Sequence, residues 1–490
     1  MNSANIKNLI VSNQRFLKLL WVILFALLAI IPYIYSILYA PISLDGSYYL
    51  SMVERIRSGL VPYRDFTLEY TPLFFYITAF IKNLFSVGIN YGFDLGFHFC
   101  IQLIVTILLY KIAVQMAISK WNAYHVAVFY LLISYWITEY EFILEIPSLL
   151  WGLWAIYLAL RYQHKSVVFI LVGMIASLSF LTKQYGLGFF FLILYQIDFN
   201  SNRWKQLFFF IIGYFIPIIF FKLRFPEMSI VFFGNGYGLK GAEQTMGIFS
   251  YNILKRMLEA SGYFLLRVPI FLFAIVFIKL VPPERRKNVW FLLLGIAGFM
   301  IQFVFAIFNH YGLYIIPFVS LFIFLILTYI PSEKWVYKSY IALLILVFGA
   351  AVFKNYYRAF AYDHKLRTRQ IQLAEKIKQN MDPGKTLYIA DTRLVDLYYP
   401  LNVKPAGMRY TFGLTMTEKL HYRQIRIADY ILTYNIPDSL NFNYLNSKRV
   451  QWFFKTISDK TIIDNQYSVD KETHKTIDNQ VILFRNNHLF

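Results

Sequence analysis

Five side chains of this sequence are of the types that move protons or hold phosphate, and each stands at the end of an apolar run. They are Asp45 in LDGSYY, Glu141 and Glu145 in EYEFILEIP, Lys183 in SLSFLTKQYGLG and His310 in FNHYGLYIIPF. A carboxylate can take the proton of an attacking hydroxyl or amine, or ligate a metal. An ammonium group can offset charge that builds on a phosphate, and an imidazole can serve either end. Together they suit transfer of a group from a phosphate-linked donor. The stretch from 41 to 76, PISLDGSYYLSMVERIRSGLVPYRDFTLEYTPLFFY, adds Tyr48, Arg64, Glu69 and Tyr70 around Asp45, and Arg64 is a second cation able to meet a phosphate. Gln184 and Tyr311 accompany Lys183 and His310. Each residue also has a plain reading: Asp45 caps a helix, Lys183 snorkels, and His310 is an interfacial polar group. What separates the two readings is whether the fold brings these residues to one face.

The elements that must position them are read from hydropathy. Of 490 residues, 58% are hydrophobic and 20% aromatic, and the mean hydropathy is +0.50. A soluble core cannot absorb that much apolar surface, whereas lipid can. Only 15% of residues are charged, yet 47 Lys and Arg stand against 27 Asp and Glu. In so apolar a chain this excess points to loops facing the cytoplasm and anionic lipid, not to nucleic acid. The one cysteine, Cys100, excludes an intrachain disulfide. Runs long enough to span recur at 17–40, 93–117, 121–138, 146–162, 166–184, 185–199, 204–223, 263–281, 288–308, 311–330 and 338–357. The first is too long for a signal-peptide core and is expected to be retained with its N-terminus inside. The segment 72–87, interrupted by Lys82 and Asn83, reads as a half-buried or interfacial helix.

About eleven spans starting inside make a topology that the short loops test. Lys120, Arg161, Lys165, Arg203, Lys205, Arg285, Arg286, Lys287, Lys334 and Lys338 then fall inside, while 139–145 and 309–310, placed outside, hold no Lys or Arg. That is the positive-inside pattern. Of the acids before residue 358, only Asp198, Glu284 and Glu333 fall inside; Asp45, Asp65, Glu69, Glu139, Glu141 and Glu145 fall outside. Acids do not set topology, so this asymmetry asks for another reason, and an outer-face site is one. A transmembrane domain over 1–357 is expected, with a first outer loop at 41–92 and a long outer loop at 224–262. The latter, with FFGNGYGLKGAEQTMG, lacks the strand and helix of a phosphate-binding loop and reads as a linker or a mobile cover. Residues 358–490 are expected to form an extracytoplasmic soluble α/β or α+β domain: a helix in HKLRTRQIQLAEKIKQN, a turn at Asp382-Pro383-Gly384-Lys385, and strands at 386–390, 430–433, 461–464 and 481–484.

In order along the chain, DGSYY, GLVPYRDF and EYTPLFFY resemble the first outer loop of the bacterial GT-C superfamily of membrane glycosyltransferases, in its protein O-mannosyltransferase and aminoarabinose-transferase branch. LEIPSLLWGLWAIYLALR resembles that family's second outer loop and following span, FLTKQYGL its lysine-bearing turn, and HYGLYIIPF its late His/Arg-Tyr segment. The resemblance covers about residues 20–330. It implies that Asp45 is the catalytic base or a ligand of a divalent metal such as Mg or Mn, that Glu145 is the second-loop acid, and that Lys183 lies near the donor phosphate. Two positions depart from the family: Asp45 is followed by Gly46 where many members have a second acid, and Thr71 precedes Pro72 where others often carry Pro or Lys. The implied activity is transfer of a sugar from a polyprenyl-phosphate-linked donor to a glycan, lipid or protein acceptor at the outer face of the inner or plasma membrane. A lipid-linked glycan flippase, which calls for midplane charges and repeated spans, and a glycan polymerase are the rival expectations.

Overall fold

A computed structural model describes residues 3–66, 68, 70–138, 140–197, 203–226, 268–300, 309–361, 365–389, 392–405, 428–434, 459–464 and 481–485. Each of the eleven expected runs holds a helix. They are α1 (Ser3–Tyr39), α4 (Tyr91–Gln115), α5 (Lys120–Thr138), α6 (Glu145–Arg161), α7 (Val168–Thr182), α8 (Gly188–Gln196), α9 (Arg203–Arg224), α10 (Ile270–Val276), α11 (Arg286–Met300), α12 (Ile316–Tyr329) and α13 (Trp335–Phe360). Between α1 and α4 lie α2 (Leu44–Arg57) and α3 (Leu73–Leu84). Among the described residues, α1 (over Leu20–Tyr39), α4, α9 and α13 are long and apolar enough to cross a bilayer. The chain is a multi-pass membrane protein. The long outer loop expected at 224–262 lies almost wholly outside the described residues.

The helices stack through apolar faces with a few polar contacts. In sequence they pack α7 on α9 and α6, α6 on α4, α4 on α5, and α5 on α12 and α13. One face of α1 stays apolar and exposed, with Leu20, Leu24, Leu27 and Ile31 outward. Its other face buries Tyr33 and Ser36, whose hydroxyls bond Leu131 O and the Tyr135 hydroxyl at 2.7 Å each. Inside lipid each such bond replaces an unsatisfied polar group. The helices α7 and α9 come close because glycine faces glycine. A Cβ on Gly173 would stand 2.2 Å from Phe210 O, and one on Gly213 2.0 Å from Ile170 O.

The tail is a mixed α/β unit. Helix α14 (Leu366–Gln379) leads into a sheet of β1 (Thr386–Ile389), β2 (Lys404–Pro405), β3 (Tyr430–Tyr434), β4 (Asp459–Asp464) and β5 (Val481–Arg485), ordered β2-β1-β3-β5-β4. β1 runs parallel to β2 and β3, while β5 is antiparallel to β3 and β4. Four strands stand where short strand-like apolar runs mark them; β2, two residues long, has no such run. Gly384, with φ +76°, makes the expected turn before β1.

The tail is fastened to the first loop by a buried charge cluster. Lys82, read as an interruption of an apolar stretch, is fully buried in α3. Its Nζ meets Glu54 Oε1 at 2.8 Å, Asp94 Oδ1 at 3.1 Å and the Tyr399 hydroxyl at 2.7 Å. Tyr399 lies in α15 (Tyr398–Leu401), and its hydroxyl also donates to Asp94 and accepts from Asn90 N at 2.9 Å. Arg57 closes the cluster from the surface side, 2.8 Å from Glu54 Oε2. Removing one member of such a set strands a buried charge, at a cost of about 3–5 kcal/mol. Lys82→Met is therefore expected to lower the melting temperature of the detergent-solubilised protein sharply. Tyr399→Phe, which deletes only the hydroxyl, should cost roughly 1–3 kcal/mol. A Lys82→Met protein that melts with wild type would refute the cluster's structural role.

Candidate active site

The centre of the site is made by one helical hairpin. Glu145 is the first residue of α6, where its negative charge suits the helix N-terminus. Pro147 follows in the first turn, where an amide N–H has no helical partner to lose. Lys183 ends α7, its backbone turned to the extended region at φ −151°, ψ 137°. One turn inside each end, Ser148 and Ser179 bond reciprocally: hydroxyl to hydroxyl at 2.9 Å, Ser148 Oγ to Ser179 O at 3.0 Å and Ser179 Oγ to Ser148 O at 2.7 Å. This pair fixes the register of α6 on α7, and the register sets Glu145 against Lys183.

The two then form an ion pair, Lys183 Nζ donating to Glu145 Oε1, with Lys183 2% exposed and Glu145 fully buried. Glu145 Oε2 is buried with no hydrogen-bond partner among the described residues. His310 Nε2 lies 3.5 Å from Oε1. Burial holds the His310 imidazole below its ordinary range against the pull of Glu145, while Lys183 pushes the same way as burial. This shift favours the uncharged ring, and Lys183 is the cation paired with Glu145. Three tyrosine rings surround the ammonium group: Tyr311 at 5.3 Å, Tyr70 at 5.5 Å and Tyr185 at 6.0 Å from ring centre to Nζ. Tyr63, at φ 68°, braces this cage by donating its hydroxyl to Tyr70 O at 2.6 Å.

Asp45 enters from α2. The helix is capped by Ser43, whose hydroxyl accepts from Gly46 N at 3.0 Å, so the plain reading of Asp45 as the cap does not hold. Asp45 is half-buried in the first turn, and among the described residues its carboxylate makes no hydrogen bond or ion pair. Its charge is felt at both His310 and Tyr49, and so is that of Glu145. Burial above all, then Tyr70, Asp45 and Glu145, keep the Tyr49 hydroxyl protonated. Asp45, Tyr49, Tyr70, Glu145, Lys183, His310 and Tyr311 thus share one site. Tyr48 borders it, 5.7 Å from Tyr49 and 6.4 Å from Tyr70 between ring centres.

Other expected residues stand elsewhere. Arg64 turns its guanidinium to the surface, 65% exposed, in a two-point bond to Asp65 at 2.8 and 2.9 Å. That pair and the Val61 amide hold the Asp65 carboxyl down to about 2. The charge of Glu141 acts on Tyr91. Glu69 and Glu139 lie outside the described residues. Among the described residues no three His, Cys, Asp or Glu side chains gather into a metal-ligand set, and Lys183 holds one oxygen of the Glu145 carboxylate. Spacing alone did not single out Tyr49 and Tyr185; a cation flanked by aromatics in TKQYG was the available signal.

Beside the cage, residues 184–195 and 294–299 line an apolar cavity of about 580 Å³. Gln184 and Tyr185 form its polar end, next to Lys183, and its rim residues Leu187, Phe191 and Leu294 are exposed.

The ion pair predicts a measurable coupling. Glu145→Gln and Lys183→Met should each lower stability by roughly 3 kcal/mol through the charge left behind. The double variant should lose clearly less than the sum of the two. Thermal unfolding in detergent reads both, and strictly additive losses would mean that the pair does not form.

No protein-family model matches the chain, and no curated protein sequence matches it. Among solved structures it is similar to ArnT from Cupriavidus metallidurans in the apo state, at 14% identity and a TM-score of 0.57, over 94% of this chain and 97% of that one. The same protein bound to undecaprenyl phosphate gives 15% identity and a TM-score of 0.57, over 94% and 98%. The archaeal oligosaccharyltransferase AglB from Archaeoglobus fulgidus, in complex with an inhibitory peptide and a dolichol-phosphate, gives 12% identity and a TM-score of 0.46, over 86% and 70%.

Proposed function

From the GT-C fold that this chain shares with ArnT, we propose that the protein is an integral-membrane glycosyltransferase. It moves a sugar from a polyprenyl-phosphate-linked donor to a glycan, lipid or protein acceptor at the outer face. About eleven spans would put the N-terminus in the cytoplasm and the soluble unit outside. The observation that carries the reading is the buried, tyrosine-ringed Lys183, whose chain neighbours Gln184 and Tyr185 line an apolar cavity, with the half-buried Asp45 acting on His310 of the same site. A lipid chain suits the cavity, and its phosphate would then meet the ammonium group.

The roles follow from the pairing. The acceptor hydroxyl or amine attacks the anomeric carbon while the bond from that carbon to the phosphate oxygen breaks. The bonding pair leaves on the phosphate, and the acceptor's proton passes to Asp45. Asp45 suits this task because no cation of the described residues competes for its carboxylate. Lys183 offsets the charge on the departing lipid phosphate. Glu145 holds Lys183 in place and keeps Oε2 for a sugar or acceptor hydroxyl. Neutral His310 offers a hydrogen bond without adding charge. Since the donor brings its own leaving group, no nucleotide-binding fold is required.

The test offers undecaprenyl-phosphate-linked mannose, glucose and 4-amino-arabinose, one at a time, to purified protein with native membranes as the acceptor source. Free undecaprenyl phosphate and labelled acceptor are then measured. Wild type should release lipid phosphate and label the acceptor with single sugars, and Asp45→Asn should be slower by about 10²-fold or more. Equal rates would sink the role of Asp45. Chain growth would favour a polymerase, and lipid movement without release a flippase.

A further inference from the structure

The stretch that carries Asp45 is held from the far end of the chain. α1 ends at Tyr39 and α2 begins at Leu44, so a four-residue link sets where Asp45 stands. Arg367, on α14, spreads its guanidinium over the end of α1. Nε donates to Ala40 O at 2.6 Å, Nη1 to Ile37 O at 2.9 Å and Leu38 O at 3.1 Å, and Nη2 to Ser36 O at 3.1 Å. Ser36 O also accepts from Ala40 N at 2.8 Å, while Ile37, Leu38 and Ala40 O are carbonyls of the kind a helix C-terminus leaves without a helical partner. One turn on, Gln370 is 1% exposed and pairs with the link as a neighbouring strand would. Ile42 N donates to its Oε1 at 2.9 Å, and its Nε2 donates to Ile42 O at 3.0 Å. Asp396 accepts from the same Nε2 at 2.5 Å, which fixes the carboxamide's orientation. On the other side of Asp45, Tyr399 N donates to Ser47 Oγ at 3.0 Å.

Nothing in the catalytic chemistry needs these contacts, and a tail that served acceptor binding alone would not need them either. Gly46 sharpens the point. A Cβ there would come within 2.7 Å of Ser43 Oγ and 2.8 Å of the Tyr91 hydroxyl, so the first turn of α2 is packed tightly around Asp45. A carboxylate displaced by about 1 Å from a reacting group can cost 10²-fold in rate.

We propose that the C-terminal unit positions the acid of the first loop: Gln370 and Arg367 act as positioning residues that hold the Ala40–Ser43 link and thereby the place of Asp45. This rests on the role given to Asp45 above. It makes the tail part of the frame of the active site, so that docking of the tail and turnover are linked.

Two readouts test it on the full-length protein in detergent. Gln370→Leu keeps the size of the side chain and removes its hydrogen bonds. Release of undecaprenyl phosphate from whichever of the three donors above is turned over should fall by about tenfold or more at saturating donor and at a temperature well below melting, with KM changed by less than about twofold. A nitroxide on Leu44→Cys, a position 49% exposed, in a Cys100→Ala background should be immobile in the parent and mobile in Gln370→Leu. The lost buried hydrogen bonds lower the melting temperature in either case, and a merely structural role would leave the label of the folded fraction unmoved. A rate within about twofold of wild type, or a label as immobile as in the parent, overturns the proposal. Should Gln370→Leu fail to fold, Arg367→Lys, which keeps the charge and loses the fork, carries the same two readouts. Full turnover by Asp45→Asn is a separate outcome: it overturns the assignment of the base, while the label still decides whether the tail orders the link.

Discussion

A charge taken out of water must find its partner, and that requirement organises the protein around Glu145 and Lys183. Both are buried, and each alone would be an uncompensated charge in a low-dielectric surround. The pair forms only if α6 and α7 stand in one register, which the Ser148–Ser179 exchange of hydrogen bonds enforces one turn deeper in the hairpin. The close packing of α7 on α9 through Gly173 and Gly213 then leaves the hairpin little room to slide. Around the ammonium group, three tyrosine rings offer their negative faces to the cation.

The acids of the site differ in environment, and the difference sorts their chemistry. Glu145 is committed to Lys183 through one oxygen, while Asp45 is half-buried and carries no ion pair among the described residues. A base must have a free lone pair at the moment of proton transfer, which suits Asp45, and a positioned cation needs a fixed counter-charge, which suits Glu145. Tyr49 feels both charges, its hydroxyl kept protonated by burial, by Tyr70 and by both acids.

The same rule of paired burial acts a second time at Lys82, whose partners come from α2, α4 and the tail. Because Tyr399 supplies one of them, the C-terminal unit is fastened to the loop that carries Asp45 by polar bonds as well as by apolar area. Arg367 and Gln370 add bonds to the backbone on the N-terminal side of that loop. Helices, loop and tail are thus one mechanical unit around the acid.

Much of this was legible from the order of residues. Hydropathy is a local property, so each of the eleven apolar runs holds a helix among the described residues, and short strand-like apolar runs mark four of the five strands. Charge at the loop ends brought Asp45, Glu145, Lys183 and His310 to one face before any contact was known. The contacts themselves were not legible. Lys82 looked like an interruption because its partners are 12 residues away at Asp94 and 317 away at Tyr399. Arg64 looked like a phosphate ligand, yet its neighbour Asp65 takes it to the surface. Asp45 looked able to cap its own helix until Ser43 proved to do so. The sequence by itself determined the class of solvent, the positions of the elements and the side of the membrane to which the chemistry is expected to belong. Only the tertiary structure decided which charges neutralise one another, because pairing follows from desolvation at a point in space, and that point is set by helices far apart in the chain.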